Sequence, residues 1–131
     1  MLDWRAVLAT ALGGAIGSVL RYAIQLAVAA RIGTAFPWAT FGINVAGSFL
    51  IGVVAELAMR EGGAVSPLLR VFLAVGVLGG FTTFSSLSFE TLLLARSGAV
   101  PAAVAYAAGS VATGVVAAYL GAAAARGPAT P

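Results

Sequence analysis

The chain has 131 residues, of which 61% are hydrophobic and 8% charged; with a mean hydropathy of +1.06, this excludes an ordinary water-soluble domain and makes lipid the expected solvent. Seven arginines and no lysine give a net charge of +3, but they are scattered and not gathered into the block that a nucleic-acid surface requires. Cysteine and histidine are both absent, which excludes disulfides, thiol chemistry, the usual zinc and copper sites and any imidazole base.

At the N-terminus Arg5 precedes an apolar run and faintly imitates a secretory leader. Asp3 is unfavourable there, and the run continues past leader length, so the segment reads as a first span. Four apolar stretches follow one another, over residues 6–30, 38–59, 68–94 and 100–125. Each meets the length of about 20 residues that a bilayer-spanning helix needs. The breaks between them run from Arg31 to Pro37, from Arg60 to Pro67 and from Arg96 to Gly98, with Pro101 in the first turn of the last helix, where proline is tolerated. The expectation is one all-α membrane domain over residues 1–131. Four arginines (Arg5, Arg60, Arg70, Arg126) fall on one side and two (Arg31, Arg96) on the other, a bias weak enough to permit insertion in both orientations.

In the first span, Gly13 with Gly17 and Gly14 with Ser18 offer small-residue contact faces, as do Gly109, Thr113, Ala117 and Gly121 in the last. These serve either an oligomer or helix contacts inside one subunit. Arg21 stands either at the membrane boundary, snorkelling, or buried beside an anion entrance. In the second span, Thr40, Asn44 and Ser48 share one helical face with Gly47 beside them. The Asn44 amide needs partners, and either lines a pore or bridges two helices.

The third span, 27 residues long, would be about 40 Å if fully helical, more than a hydrocarbon core of about 30 Å requires. Its middle carries Gly79 and Gly80 followed by Phe81-Thr-Thr-Phe-Ser-Ser-Leu-Ser-Phe-Glu90, which predicts a helix break. The alternative is a glycine pair that only permits tight helix packing. Unwound backbone at that depth must be buried in protein or line a cavity, and its carbonyls suit a hard cation. Glu90 lies close enough to the helix end to be interfacial. In the last span Tyr106, Ser110 and Thr113 form a second track of hydroxyls, each also able to bond its own helix. Hydroxyls and amides suit a small, strongly hydrated anion, and the positive ring edges of Phe84, Phe81 or Phe89 add weak attraction, although aromatics in apolar helices more often face lipid or core.

Gly13-Gly-Ala-Ile-Gly-Ser-Val-Leu-Arg-Tyr22, the stretch from Thr40 to Gly52 with Asn44 and Gly47-Ser-Phe, and Gly79-Gly-Phe-Thr-Thr-Phe-Ser85 together resemble the Fluc/CrcB fluoride-channel family, nearly end to end. The resemblance implies a dual-topology antiparallel dimer with two fluoride pores and a structural sodium ion held by the backbone carbonyls of Gly79 and Thr82. It implies Asn44 as a donor on the fluoride path and Phe84 as the first of a phenylalanine pair. It gives Tyr106 and Ser110 as the polar track, Arg21 as a vestibule arginine and Glu90 as the acid after the break; Thr40, Thr83 and Ser88 are further candidate hydroxyls on the path. Leu87 stands where the family places its second phenylalanine. A homodimer is favoured over a pair of homologous subunits, since the charge bias is weak. The implied activity is passive fluoride export from a prokaryotic cytoplasm, in which the anion is trapped after entering as neutral HF. A small multidrug-type exporter is disfavoured because no carboxylate lies between Asp3 and Arg31 in the first span. A scaffold subunit leaves the polar stretches unexplained, and an enzyme lacks acid, base and nucleophile.

Overall fold

The computed structural model describes residues 2–60 and 64–126. The expected turn at Glu61-Gly62-Gly63 therefore lies outside the described residues. All regular structure among them is helical: α1 (Trp4–Ile32), α2 (Trp38–Met59), α3 (Pro67–Arg70), a π-helical segment (Val71–Leu78), α4 (Gly79–Phe81), α5 (Phe84–Arg96) and α6 (Val100–Ala125). Four stretches are long and apolar enough to cross a bilayer, the third being the composite run Pro67–Arg96.

Local chemistry sets the ends. Asp3 caps α1 by accepting from the Arg5 amide at 2.9 Å, and Ser66 accepts from the Leu69 amide at 3.3 Å with Pro67 in the first helical turn behind it. Gly33 and Gly98 take φ of 79° and 85° where α1 and α5 turn into their loops, a region that glycine occupies without steric cost.

The spans pair in two ways: α2 runs along α6, and α1 runs along the π segment and α4. Both contacts are backbone against backbone. A Cβ at Gly13 would lie 2.6 Å from the Phe72 carbonyl oxygen, and one at Gly17 would strike the Val77 carbonyl. Likewise Gly52 abuts the Ala118 carbonyl and Gly121 abuts the Phe49 carbonyl. The small residues of the first span are thus used inside the chain, as are Ala117 and Gly121 of the last, both buried. Gly109 faces open space, and Thr113 is exposed with its hydroxyl donated to its own helix at Gly109. Close approach of this kind is how membrane helices associate when no hydrophobic drive separates them from lipid. At the shared end of α2 and α6, Arg126 pairs with Glu56 at 3.3 Å, and Arg60 donates to the Ala125 carbonyl.

The buried set is small: Ile43, Leu78, Leu87, Ala103, Tyr106 and Ala117, with Thr40 and Ser110 among the polar side chains. Long apolar side chains such as Leu12, Val19, Val104 and Val115 point outward, as they do in a protein whose surroundings are hydrocarbon.

Candidate functional site

Between Phe81 and Phe84 the backbone leaves helical geometry. Thr82 has φ −79° and ψ 159°, and Thr83 has φ −154° and ψ 115°. Three side chains take up the bonds that a continuous helix would have made there. The Thr83 amide, which would have donated to Gly79, donates to Asn44 Oδ1 at 2.8 Å, and Asn44 Nδ2 donates to the Thr83 carbonyl at 3.1 Å. The Ser86 amide, which would have reached Thr82, donates to Thr83 Oγ1 at 3.1 Å and so caps α5. Arg21 Nε donates to the Gly80 carbonyl at 3.1 Å. Thr82 turns its hydroxyl back to the Leu78 carbonyl at 2.9 Å, a bond within its own segment.

One to two turns further along α5, Glu90 closes a second polar knot. Its Oε1 accepts from Thr40 Oγ1 at 2.7 Å and its Oε2 from the Tyr106 hydroxyl at 2.6 Å. Thr40 and Tyr106 are 1% and 2% exposed, so this knot ties α2, α5 and α6 together from inside. Arg21 and Glu90 are therefore held by different partners and do not form an ion pair.

A groove of about 450 Å³ runs past these elements, and Asn44, Gly79, Thr82, Phe84, Leu87 and Ser110 are among the residues that line it. Phe84 projects freely, 75% exposed, whereas Leu87 is 7% exposed. The Ser110 hydroxyl oxygen is buried without a hydrogen-bond partner among the described residues. Ser48, from the Thr40 and Asn44 face, also borders the groove. Ser88 is exposed and donates to the Phe84 carbonyl at 3.0 Å, on its own helix.

Sequence reasoning placed Thr40, Asn44, Thr83, Phe84, Glu90, Tyr106 and Ser110 on separate spans. The structure joins them into one seam, with Asn44 and Glu90 as its two fastening points. The reciprocal pairing of Asn44 with a backbone amide and carbonyl was missed. Its signal was the four-residue spacing of Thr40 and Asn44 against the seven-residue spacing of Thr83 and Glu90 in a span running the other way. No group of three or more His, Cys, Asp or Glu side chains able to hold a metal occurs among the described residues.

The CrcB-like protein family, described as Camphor Resistance (CrcB), matches residues 8–122. A Fluoride-specific ion channel FluC of Thermus thermophilus is 54% identical over 114 residues, 87% of this chain and 90% of that one. Proteins of the same description from Novosphingobium aromaticivorans and Rhizobium meliloti are 54% identical over 119 residues and 48% identical over 115, covering 89% and 88% of this chain and 93% and 91% of theirs. With four spans, a polar seam and a match that takes in every residue of that seam, the chain is a multi-pass membrane protein that belongs to the CrcB family.

Proposed function

We propose that this chain is a fluoride-selective channel of a prokaryotic plasma membrane, passing cytoplasmic fluoride outward down its gradient through pores formed where two copies meet in antiparallel orientation. The observation that carries the reading is the open groove shared by Asn44, Phe84, Leu87 and Ser110, in a chain whose relatives are named for that activity. A groove bordered by an amide and a buried, unpartnered hydroxyl is costly to leave to lipid. A second copy covers it, and the weak arginine bias lets that copy insert the other way up.

The seam supplies what a dehydrating anion needs. One hydrogen of Asn44 Nδ2 remains after Thr83 has taken the other, and the Ser110 hydroxyl is uncommitted; both replace lost water. Phe84 offers a positive ring edge. Leu87 cannot, so this chain brings one ring edge to the groove where the family brings two. Thr40 and Tyr106 act by turning their hydroxyls from Glu90 to the passing ion, while Thr83 and Ser88, tied to α5, contribute less. Arg21 keeps its terminal N–H groups to draw anions to the entrance. Chloride is held back by width and by the fixed placement of donors.

Liposomes containing only this chain should release fluoride quickly and retain chloride, read with ion-selective electrodes. Phe84→Ile should slow fluoride release by at least about tenfold while the protein still elutes as the folded species. Absence of release from folded protein would sink the homodimer. Release that returned with a homologous second subunit would favour a divided channel.

The reading includes a structural sodium ion bound by the carbonyls of Gly79 and Thr82. Its support is that the amides of Thr83 and Ser86 have gone to Asn44 and Thr83 Oγ1, which leaves both carbonyls with lone pairs for a hard cation. Sodium supplies positive charge that holds such oxygens together. Purification with N-methylglucamine in place of sodium should lower the unfolding temperature and the flux together, and an unchanged melt would remove the ion from this site.

A further inference from the structure

A second recess, about 640 Å³ in volume, opens between the end of α1, the Gly33 to Pro37 loop, the start of α2 and the face of α5. Its walls are mostly aliphatic and small, but four aromatic side chains, Tyr22, Phe36, Trp38 and Phe89, line it as well. Phe36 lies 4.6 Å from Trp38 and meets the Tyr106 ring edge-on at 5.4 Å, centroid to centroid. At its polar end stand Thr40 and Glu90.

The electrostatics of this recess are one-sided. No arginine is among its lining residues, and Glu90 makes no ion pair among the described residues. The Thr40 and Tyr106 hydroxyls satisfy one hydrogen bond on each carboxylate oxygen, but they do not neutralise its charge, and each oxygen keeps a free lone pair. A carboxylate set among aromatic side chains attracts a cation through its charge, and a ring that turns its face to the cation adds to this through its quadrupole. The volume falls within the roughly 300–1,000 Å³ of small-molecule sites. A metal ion or bare ammonium would surrender too much hydration to apolar walls. An organic cation with apolar substituents would not. Trp38, half exposed at the start of α2, stands where indoles mark the water boundary of a membrane protein, so the mouth is reachable from water.

We propose that this recess binds a hydrophobic organic monocation, a quaternary or protonated amine whose charge rests on Glu90 and whose apolar groups pack against Phe36, Trp38 and Phe89. The claim concerns binding and stands whether or not the chain conducts fluoride.

Trp38 provides the readout. In a Trp4→Phe background, which leaves Trp38 as the sole remaining tryptophan, benzyltrimethylammonium titrated into the purified full chain should change the fluorescence saturably. Neopentylbenzene, its uncharged shape analogue, should bind at least about tenfold more weakly. Glu90→Gln should weaken the cation by a similar factor and leave the neutral probe alone. Because Glu90 also helps hold Thr40 and Tyr106, a second variant is needed. Phe89→Leu removes a wall residue that is 60% exposed, so the fold is spared, and it should weaken the cation severalfold more than the neutral probe. Equal affinity for the two probes, no saturable change, or a cation affinity unmoved in both folded variants would each overturn the site.

Discussion

Asn44→Ala is expected to abolish fluoride release from liposomes while the protein still folds. The Asn44 side chain carries both hydrogen bonds that hold Thr83 out of the helix. Its loss strands an amide and a carbonyl at membrane depth, at a cost of about 1–3 kcal/mol for each group left unpaired. The chain has a way to avoid that cost. Thr83 can return its amide to the Gly79 carbonyl, joining α4 to α5 and turning Phe84 away from the groove. The same closure occupies the Gly79 oxygen of the proposed sodium site. Hydrogen exchange at Thr83 and Phe84 separates this from simple loss of a donor: slower exchange reports the closed helix, and unchanged exchange with lost flux leaves Asn44 acting on the ion alone. Normal flux would take Asn44 out of the mechanism. Asn44→Asp keeps the acceptor for the Thr83 amide but puts a carboxylate on the anion path, so it should keep Thr83 out of the helix and still lose flux.

Hydropathy gave four apolar stretches, and four helices long and apolar enough to cross a bilayer are present among the described residues, because membrane length and turn chemistry are written locally in a chain this apolar. The shared face of Thr40, Asn44 and Ser48 was legible for the same reason, since spacing by four residues needs no knowledge of a partner. What the side chains hold was not legible. Arg21 reads from sequence as a snorkelling or vestibule arginine, and its bond to the Gly80 carbonyl depends on α1 lying within a glycine's width of the third span. Glu90 reads as an interfacial acid, yet it fastens two hydroxyls from two other spans. The π-helical segment Val71–Leu78 left no mark in composition. It lies where the α1 backbone presses closest, at Gly13 and Gly17, and its wider turn accompanies that contact. Leu87 stood out only through resemblance; the structure adds that this position is buried while Phe84, one turn earlier, is free.

Gly17→Ala is expected to destabilise the protein and reduce flux together, and Gly109→Ala to do neither. Both glycines sit in the interior of apolar helices, where alanine is intrinsically favoured by roughly 1 kcal/mol. Around Gly109 nothing in the same chain lies within 4 Å of an added methyl, so inside one copy that preference acts unopposed and the melting temperature should hold or rise slightly; a fall would place Gly109 against the second copy. At Gly17 the methyl would strike the Val77 carbonyl and lie 2.8 Å from the Phe81 amide nitrogen. Backbone atoms of two packed helices cannot step aside as a side-chain tip does, so α1 must withdraw, with an overpacking cost of about 1–3 kcal/mol or more. Arg21 stands one turn beyond Gly17 on the same helix. When α1 withdraws, its guanidinium is carried away from the Gly80 carbonyl, and the break loses the anchor on its N-terminal side while Asn44 still holds the other. Thermal unfolding in detergent and fluoride release, measured on both variants, test the linkage. Loss of stability with flux intact would show that the Arg21 bond is dispensable to conduction. Stability and flux both unchanged in Gly17→Ala would mean that α1 does not press on the third span at all.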